Sequence, residues 1–402
     1  MADSANRKHT LSPEQMLKGM SAKEARQLLR SLSAKELRQL LSMAEAQAKK
    51  SPAKADTAPR WFDQKICGLT KDGRKRLIEM KKLLANPITA PQADTQWIRY
   101  AEAFKAMPFK VPAFYRKAID ARKLFNRLQR FCQKHDLPDE IISSVLPELI
   151  QYIRTGRMRP IIFVGERGSG KTTAVRLIMQ EALGIPVEII KAPDVHRGHG
   201  LTGDSGIYKS SDLGYFARAQ IRNNSQIVGY LIDEIDKACR GISGSSIDEE
   251  LLSVTDESVD SIEDKYLAST IVSLPYCPIF MTGNDLSQIN PILADRCKVI
   301  RYPNATPERI KAIMHKFVDK KLAEDTFNMI DFNLDMLNSS IDTLVKHNVS
   351  SLRKHQQLIE LVLDDAFTAA MTSGADRIAV TAAMFAGAEE KIIGVSSRKV
   401  GF

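Results

Sequence analysis

Two stretches carry residues whose types and spacing suit joint chemistry. The first, residues 159–173, reads RPIIFVGERGSGKTT. An apolar run predicts a buried strand that breaks into the glycine-rich turn Gly165, Glu166, Arg167, Gly168, Ser169, Gly170. Lys171, Thr172 and Thr173 then open a helix. This is the G-x-x-x-x-G-K-[ST] phosphate loop in its strand-to-helix setting. Its glycines let main-chain N–H groups converge on phosphate oxygens, and the helix start adds unpaired N–H groups and a favourable dipole end. Lys171 can reach the β- and γ-phosphates, and the Thr172 hydroxyl can ligate Mg²⁺. The second stretch, about sixty residues on, is IVGYLIDEID, residues 227–236. Its apolar residues bury a strand, and Asp233 and Glu234 emerge at the C-terminal end, where open parallel sheets bind ligands. There Asp233 would hold Mg²⁺ and Glu234 would polarise an attacking water, general-base work within a carboxylate's reach. Together the stretches predict ATP hydrolysis with Mg²⁺.

The elements needed to position these groups are legible around them. Segments 185–190, 277–285 and 297–302 read as further strands, and 212–224 and 246–254 as helices between them. Strands alternating with helices around a phosphate loop predict an α/β fold of P-loop NTPase type, a mostly parallel sheet covered by helices on both faces. The pattern is helical from 61 to 157 and again from 307 to the end. Residues 12–44 hold a weak repeat: SAKEARQLL recurs as SAKELRQLL, each copy with a Ser-x-x-Glu capping box. Residues 46–60 are an Ala-, Lys- and Pro-rich linker. The expected organisation is therefore an N-terminal short-helix arm (1–45), a linker (46–60), a helical domain (61–157), an α/β nucleotide-binding domain (158–303) and a C-terminal helical lid (304–402).

With 402 residues, 44% of them hydrophobic and 26% charged, the chain has the composition of a globular protein with room for two or three domains. It contains no apolar run of membrane-spanning length, and the polar N-terminus lacks a signal-peptide core. Five cysteines are scattered without a C-x-x-C pair, and neither they nor the seven histidines form a metal-binding spacing. These features predict reduced thiols and a cytoplasmic setting without a membrane partner. A net charge of +10, concentrated before the phosphate loop, leaves solvated helix faces and a nucleic-acid partner both open.

The paired acids after the phosphate loop resemble the Walker B motif of AAA+ ATPases, and the details resemble the Lon branch. The segments that carry this are VGERGSGKT, the Walker A loop, then HRGHG (196–200), LIDEIDK (231–237), ELLSVTDESVDSIEDKYL (250–267), MTGND (281–285) and PILADRCKVI (291–300). The similarity runs over roughly residues 76–394. It implies that Asn284 is a first sensor residue aligning the attacking water. It implies also that Arg296 is an arginine finger, which in a ring would reach a neighbouring subunit's ATP and stabilise transition-state charge. Ile207 and Tyr208 would be the pore-loop pair that grips a threaded polypeptide, with Lys209 where an apolar neighbour is usual. At the lid's second sensor position the best alignment gives Ser350, and a three-residue shift brings in Arg353. Lon would continue beyond the lid into a serine–lysine peptidase domain, and the expectation here is a motor without that chemistry.

The resemblance thus implies a homo-oligomer, a hexameric ring in the family's manner, that remodels, unfolds or translocates protein, with a separate protease or effector chain as a partner. Two other readings stay open. One is a nucleic-acid motor, favoured by the basic residues and Lys209. The other is a nucleotide-gated assembly scaffold.

Overall fold

The computed structural model describes residues 68–107, 121–195, 200–204, 211–238, 247–256, 262–267, 270–272, 276–324 and 326–397. The expected N-terminal arm and linker lie outside the described residues, as do His196, His199, Ile207, Tyr208, Lys209, Cys67 and Cys239.

A short strand β1 (Gly68–Leu69) precedes α1 (Lys71–Ala85) and α2 (Thr95–Ala106), followed by α3 (Ala121–Lys134) and α4 (Asp139–Thr155). The α/β part follows as β2 (Ile161–Val164), α5 (Lys171–Leu177), β3 (Val187–Lys191), α6 (Ala192–Val195), α7 (Tyr215–Asn223) and β4 (Gly229–Asp233). It continues as α8 (Ile247–Val254), β5 (Ile262–Glu263), β6 (Thr270–Val272), β7 (Ile279–Gly283), α9 (Pro291–Arg296) and β8 (Lys298–Arg301). The C-terminal part holds α10 (Pro307–Leu322), β9 (Ile330–Asp331), α11 (Leu334–Lys346), α12 (Leu352–Ser373), β10 (Ile378–Ala379) and α13 (Ala382–Ser397).

The main sheet has the order β3-β4-β7-β2-β8, and every pairing in it is parallel. A parallel sheet is covered on both faces, so its strands read as continuous apolar runs and their side chains divide by parity. Ile161 and Phe163 of β2 enter a core with Leu128, Leu149, Tyr152 and Val175, whereas Ile162 enters one with Trp97, Phe104, Phe216 and Leu251. Helices α3, α4 and α5 therefore back one face, and α1, α2, α7 and α8 the other. The helices before β2 thus contribute to both faces of the sheet.

Three local features depart from the sequence reading. The helix after the phosphate loop is α-helical only to Leu177 and continues as a π-helical stretch, Ile178–Ala182. Strand β4 stops at Asp233, and the residues after Glu234 form a 3₁₀ turn, Ile235–Lys237, so the second half of IDEID is not strand. The stretch 61–157 is not wholly helical, because β1 pairs antiparallel with β6, Gly68 opposite Ile271. Two-residue strands of this kind lack the length for a periodicity to register.

Helices α10–α13 enclose a third core, with Ile310, Met314, Leu337, Ile341, Leu358, Val362 and Phe385 among its buried residues. This is the lid. Its α12 starts directly against the phosphate loop, where the Leu352 N–H donates to the Gly168 carbonyl at 3.0 Å.

Candidate active site

The phosphate loop is shaped by two residues in left-handed conformation, Gly168 at φ +80° and Gly170 at φ +99°. A side chain is excluded at Gly168 by contact as well: its Cβ would stand 2.1 Å from Ser351 Oγ of the lid. Gly165 is excluded by packing alone, since a Cβ there would lie 2.6 Å from the Tyr302 carbonyl oxygen. Gly170 caps α5 without a side-chain hydrogen bond, which leaves the first N–H groups of that helix for a ligand. The loop is thus a cradle of main-chain donors that a Cβ would fill, and it fits a phosphate group.

Lys171 reaches back across this cradle. Its Nζ donates to the carbonyls of Gly165 and Glu166, both at 2.8 Å, and to Asn284 Oδ1 at 3.3 Å. Burial lowers its pKa from the usual lysine value, and the carboxylates of Asp233, Asp236 and Glu166 act in the opposite sense. The Thr172 hydroxyl donates to Asp233 Oδ1 at 3.0 Å, and the Thr282 hydroxyl donates to the same oxygen. A hydroxyl and a carboxylate in contact form a pair of hard oxygen donors that suits Mg²⁺, an ion that keeps most of its waters and phosphate ligands.

Glu234 occupies the first position beyond β4 at φ 59°, a left-handed conformation that costs a side-chain-bearing residue about 1 kcal/mol or more. The turn carries its carboxylate off the strand's rim and into an ion pair with Lys237 at 2.6 Å. That hydrogen bond, more than any other influence, holds the Glu234 carboxyl below the usual glutamate range, so it stands ionised.

Asn284 follows β7 directly. Its N–H and Nδ2 donate to Asp236 Oδ2 at 3.0 and 3.2 Å. Only one amide orientation gives Asp236 a donor and Lys171 an acceptor, so the two neighbours fix how Asn284 is turned. Asp236 was not foreseen. It lies two residues beyond Glu234 in the same acidic run, and that third acid was the available signal. Thr282 was missed likewise, and a lone hydroxyl in an apolar strand gives little warning.

Lys171, Thr172, Asp233, Glu234, Thr282 and Asn284 line one cleft of about 260 Å³, with Asp236 behind its lining. Arg167, Gly168, Gly170, Thr173, Asp233, Glu234 and Asn284 form the sheet side, and Arg309, Leu352 and Arg353 come from the lid. His135 and Leu137, from the turn between α3 and α4, also line it, as do Leu177 and Ile313. Of the two alternatives for the second sensor, Arg353 lines the cleft, while the Ser350 hydroxyl donates to Glu166 Oε2 of the phosphate loop at 2.8 Å.

A family model described as "ATPase family associated with various cellular activities (AAA)" matches residues 161–304. Residues 161–304 are an AAA domain. The match begins at β2 and ends just past β8, so it covers the sheet and the whole sheet side of the cleft. Among curated proteins, a Lon protease homolog of Acanthamoeba polyphaga mimivirus is 29% identical over 182 residues, covering 44% of this chain and 17% of that protein. The Lon protease of Syntrophus aciditrophicus is 28% identical over 177 residues, 42% of this chain and 22% of that one. A mitochondrial Lon protease homolog of Neurospora crassa is 24% identical over 318 residues, 73% of this chain and 28% of that protein. The chain is thus Lon-like through its AAA+ ATPase region, and it spans about a quarter or less of the length of these relatives.

In this AAA domain Arg296 stands apart from the cleft. It ends α9, donates to the Leu252 carbonyl and lies 3.6 Å from Asp256, with its side chain 35% exposed. Two buried carboxylates brace the stem of the segment that contains Ile207 and Tyr208. Glu250 Oε2 accepts from Leu201 N, Thr202 N and Thr202 Oγ1 at 2.8 to 3.1 Å. Asp264 accepts from Gly214 N at 2.9 Å and from Tyr266 N and Leu267 N at 3.0 and 3.2 Å. Burial pushes the Asp264 carboxyl up to about 6. Among the described residues no helix is long and apolar enough to cross a membrane.

Proposed function

We propose that the cleft binds and hydrolyses ATP with Mg²⁺, and that turnover in a ring of identical subunits remodels, unfolds or translocates a protein substrate. The observation that carries the hydrolytic reading is the convergence of Lys171, Thr172, Asp233, Glu234 and Asn284 on one cleft around a main-chain anion cradle.

In this reading the N–H groups of the loop and of α5 bind the β- and γ-phosphates. Lys171 exchanges its carbonyl partners for phosphate oxygens. Thr172 and Asp233 would hold Mg²⁺, which would supply charge neutralisation on the phosphate oxygens. Glu234, ionised at neutral pH, accepts a proton from the attacking water, and Asn284, fixed by Asp236, orients that water. Arg296, half-buried and outside its own subunit's cleft, serves a neighbouring subunit's ATP, as an arginine finger does. Arg353 is the lid's contact to the nucleotide. Ile207 and Tyr208 grip the polypeptide, a role drawn from the likeness to proteins named Lon protease. A separate protease or effector chain could take the product of such a motor.

The test is the ATPase rate of the full chain with an unfolded protein, or with single- or double-stranded DNA, added. Stimulation by unfolded protein that disappears in Tyr208→Ala supports a polypeptide motor. Stimulation by DNA alone replaces that substrate class with nucleic acid. Slow turnover indifferent to every addition would leave a nucleotide-gated scaffold.

A further inference from the structure

We infer that Arg309 is a nucleotide-contacting residue that the first lid helix supplies to a non-terminal phosphate, one present in both ADP and ATP. The inference rests on the nucleotide reading above and adds to it a residue from an element that neither sensor position occupies.

Arg309 lies in the first turn of α10, just after its Thr306 cap. Its Nε donates to the Asp136 carbonyl at 2.6 Å and its Nη2 to the Tyr302 hydroxyl at 3.1 Å. The guanidinium carbon lies 5.7 Å from the Tyr302 ring centroid. These partners are all neutral. No carboxylate ion pair to Arg309 occurs among the described residues, and its Nη1 is buried without a hydrogen-bond partner there. A guanidinium with one nitrogen withdrawn from water and unpaired, and the others held by neutral groups, carries an uncompensated desolvation cost, which an anion relieves.

The position of Arg309 indicates which anion. It lines the same cleft as Lys171 and Thr172. Its Nη2 is 4.0 Å from the point where a Cβ on Gly170 would stand, at the residue that caps α5. Its other bond goes to the turn that supplies His135 and Leu137 to the cleft's lining. Arg309 therefore stands beside the glycine that caps α5, whose first N–H groups are the donors that the inner phosphates of a nucleotide would meet. The bonds to Asp136 and Tyr302 keep the planar fork fixed beside the phosphate loop's last glycine, where a phosphate oxygen would meet it.

The test measures binding of fluorescent ADP and of a non-hydrolysable ATP analogue to the full-length chain, with thermal melting of the nucleotide-free protein alongside. Arg309→Gln should weaken both nucleotides by the same factor, about tenfold to a hundredfold, the range for a hydrogen bond to a charged group. Arg309→Lys should recover part of that loss. Lys316→Ala is the control: Lys316 donates to the Lys134 carbonyl and pairs with Asp136, so it ties the same turn to α10 away from the cleft. It should bind both nucleotides as the wild type does. Loss confined to the ATP analogue, no loss at all, or an equal loss in Lys316→Ala would overturn the inference and leave Arg309 a clasp between turn and lid. A wild type that binds neither nucleotide would instead remove the nucleotide reading itself.

Discussion

The two walls of the cleft are built differently. On the sheet side the groups around the carboxylates answer one another: Thr172 and Thr282 both bond Asp233, Lys171 bonds Asn284, and Asn284 bonds Asp236, with Ser169 Oγ and Asp236 Oδ1 left unpaired. On the lid side the cationic groups are held with capacity to spare. The Arg353 side chain makes no hydrogen bond or ion pair among the described residues, and Arg309 keeps one unpaired donor. A preorganised wall lowers the cost of reaching the transition state, because its dipoles need no rearrangement during reaction. A wall with unspent donors gains its contacts only when a ligand arrives, so its position can report what is bound. The sheet side is therefore where chemistry should be most sensitive, and the lid side where affinity and nucleotide discrimination should be.

The largest effect should come from spoiling the cradle both walls share. Gly168→Val forces a β-branched residue into left-handed backbone and drives its side chain into Ser351. Nucleotide binding, read by fluorescence titration, should fall beyond a hundredfold; retained binding would mean that the loop is not the phosphate site. Next comes the support behind the sheet side. Asp236→Ala releases Asn284 without touching the cleft's lining, and kcat should drop about tenfold to a hundredfold with a much smaller change in KM. A change in KM alone would move Asn284 from chemistry to binding.

On the lid side the effect should be smaller and of the other kind. Arg353→Ala should weaken ATP about tenfold while sparing ADP, if its guanidinium meets the terminal phosphate. Equal weakening of both would break the proposed division between Arg353 and Arg309. The smallest effect concerns the loop stem. Asp264 titrates near 6 in the folded protein and near 3.9 when unfolded, so its protonated form favours the fold. This contribution is complete below about pH 4 and is lost as pH rises through about 6. The melting temperature of the wild type relative to Asp264→Asn should therefore fall by a few degrees between pH 5 and pH 7.5. A constant difference would show that Asp264 does not titrate there.

The contrast between the walls also explains what could be read in the sequence. The sheet-side groups sit in contiguous motifs, because a parallel strand delivers whatever follows its last residue to one rim. Asp233 with Glu234, and Asn284 after β7, were legible for that reason. Asp236 was hidden by its own neighbours, since a strand reading of IDEID gives no cause to turn its carboxylate towards Asn284. On the lid wall each contact depends on how a helix docks. Ser350 and Arg353 are three residues apart, and only the seating of α12 on Gly168 decides that the arginine lines the cleft while the serine bonds Glu166. Arg309 gave no signal at all: its role follows from a turn 173 residues earlier in the chain. The alternating pattern of strands and helices was clear because burial on both faces demands apolar runs, whereas β1, β5 and β6 are too short to leave one.

The most direct test of the hydrolytic claim compares ATP binding and turnover in the wild type and in Glu234→Gln. The substitution keeps the side chain's size and removes the charge that accepts the proton. Binding within a few-fold of wild type, with hydrolysis reduced at least about a hundredfold, is the expected result. Equal hydrolysis by the two proteins would contradict the assignment of Glu234 and, with it, the account of the sheet side as the catalytic wall.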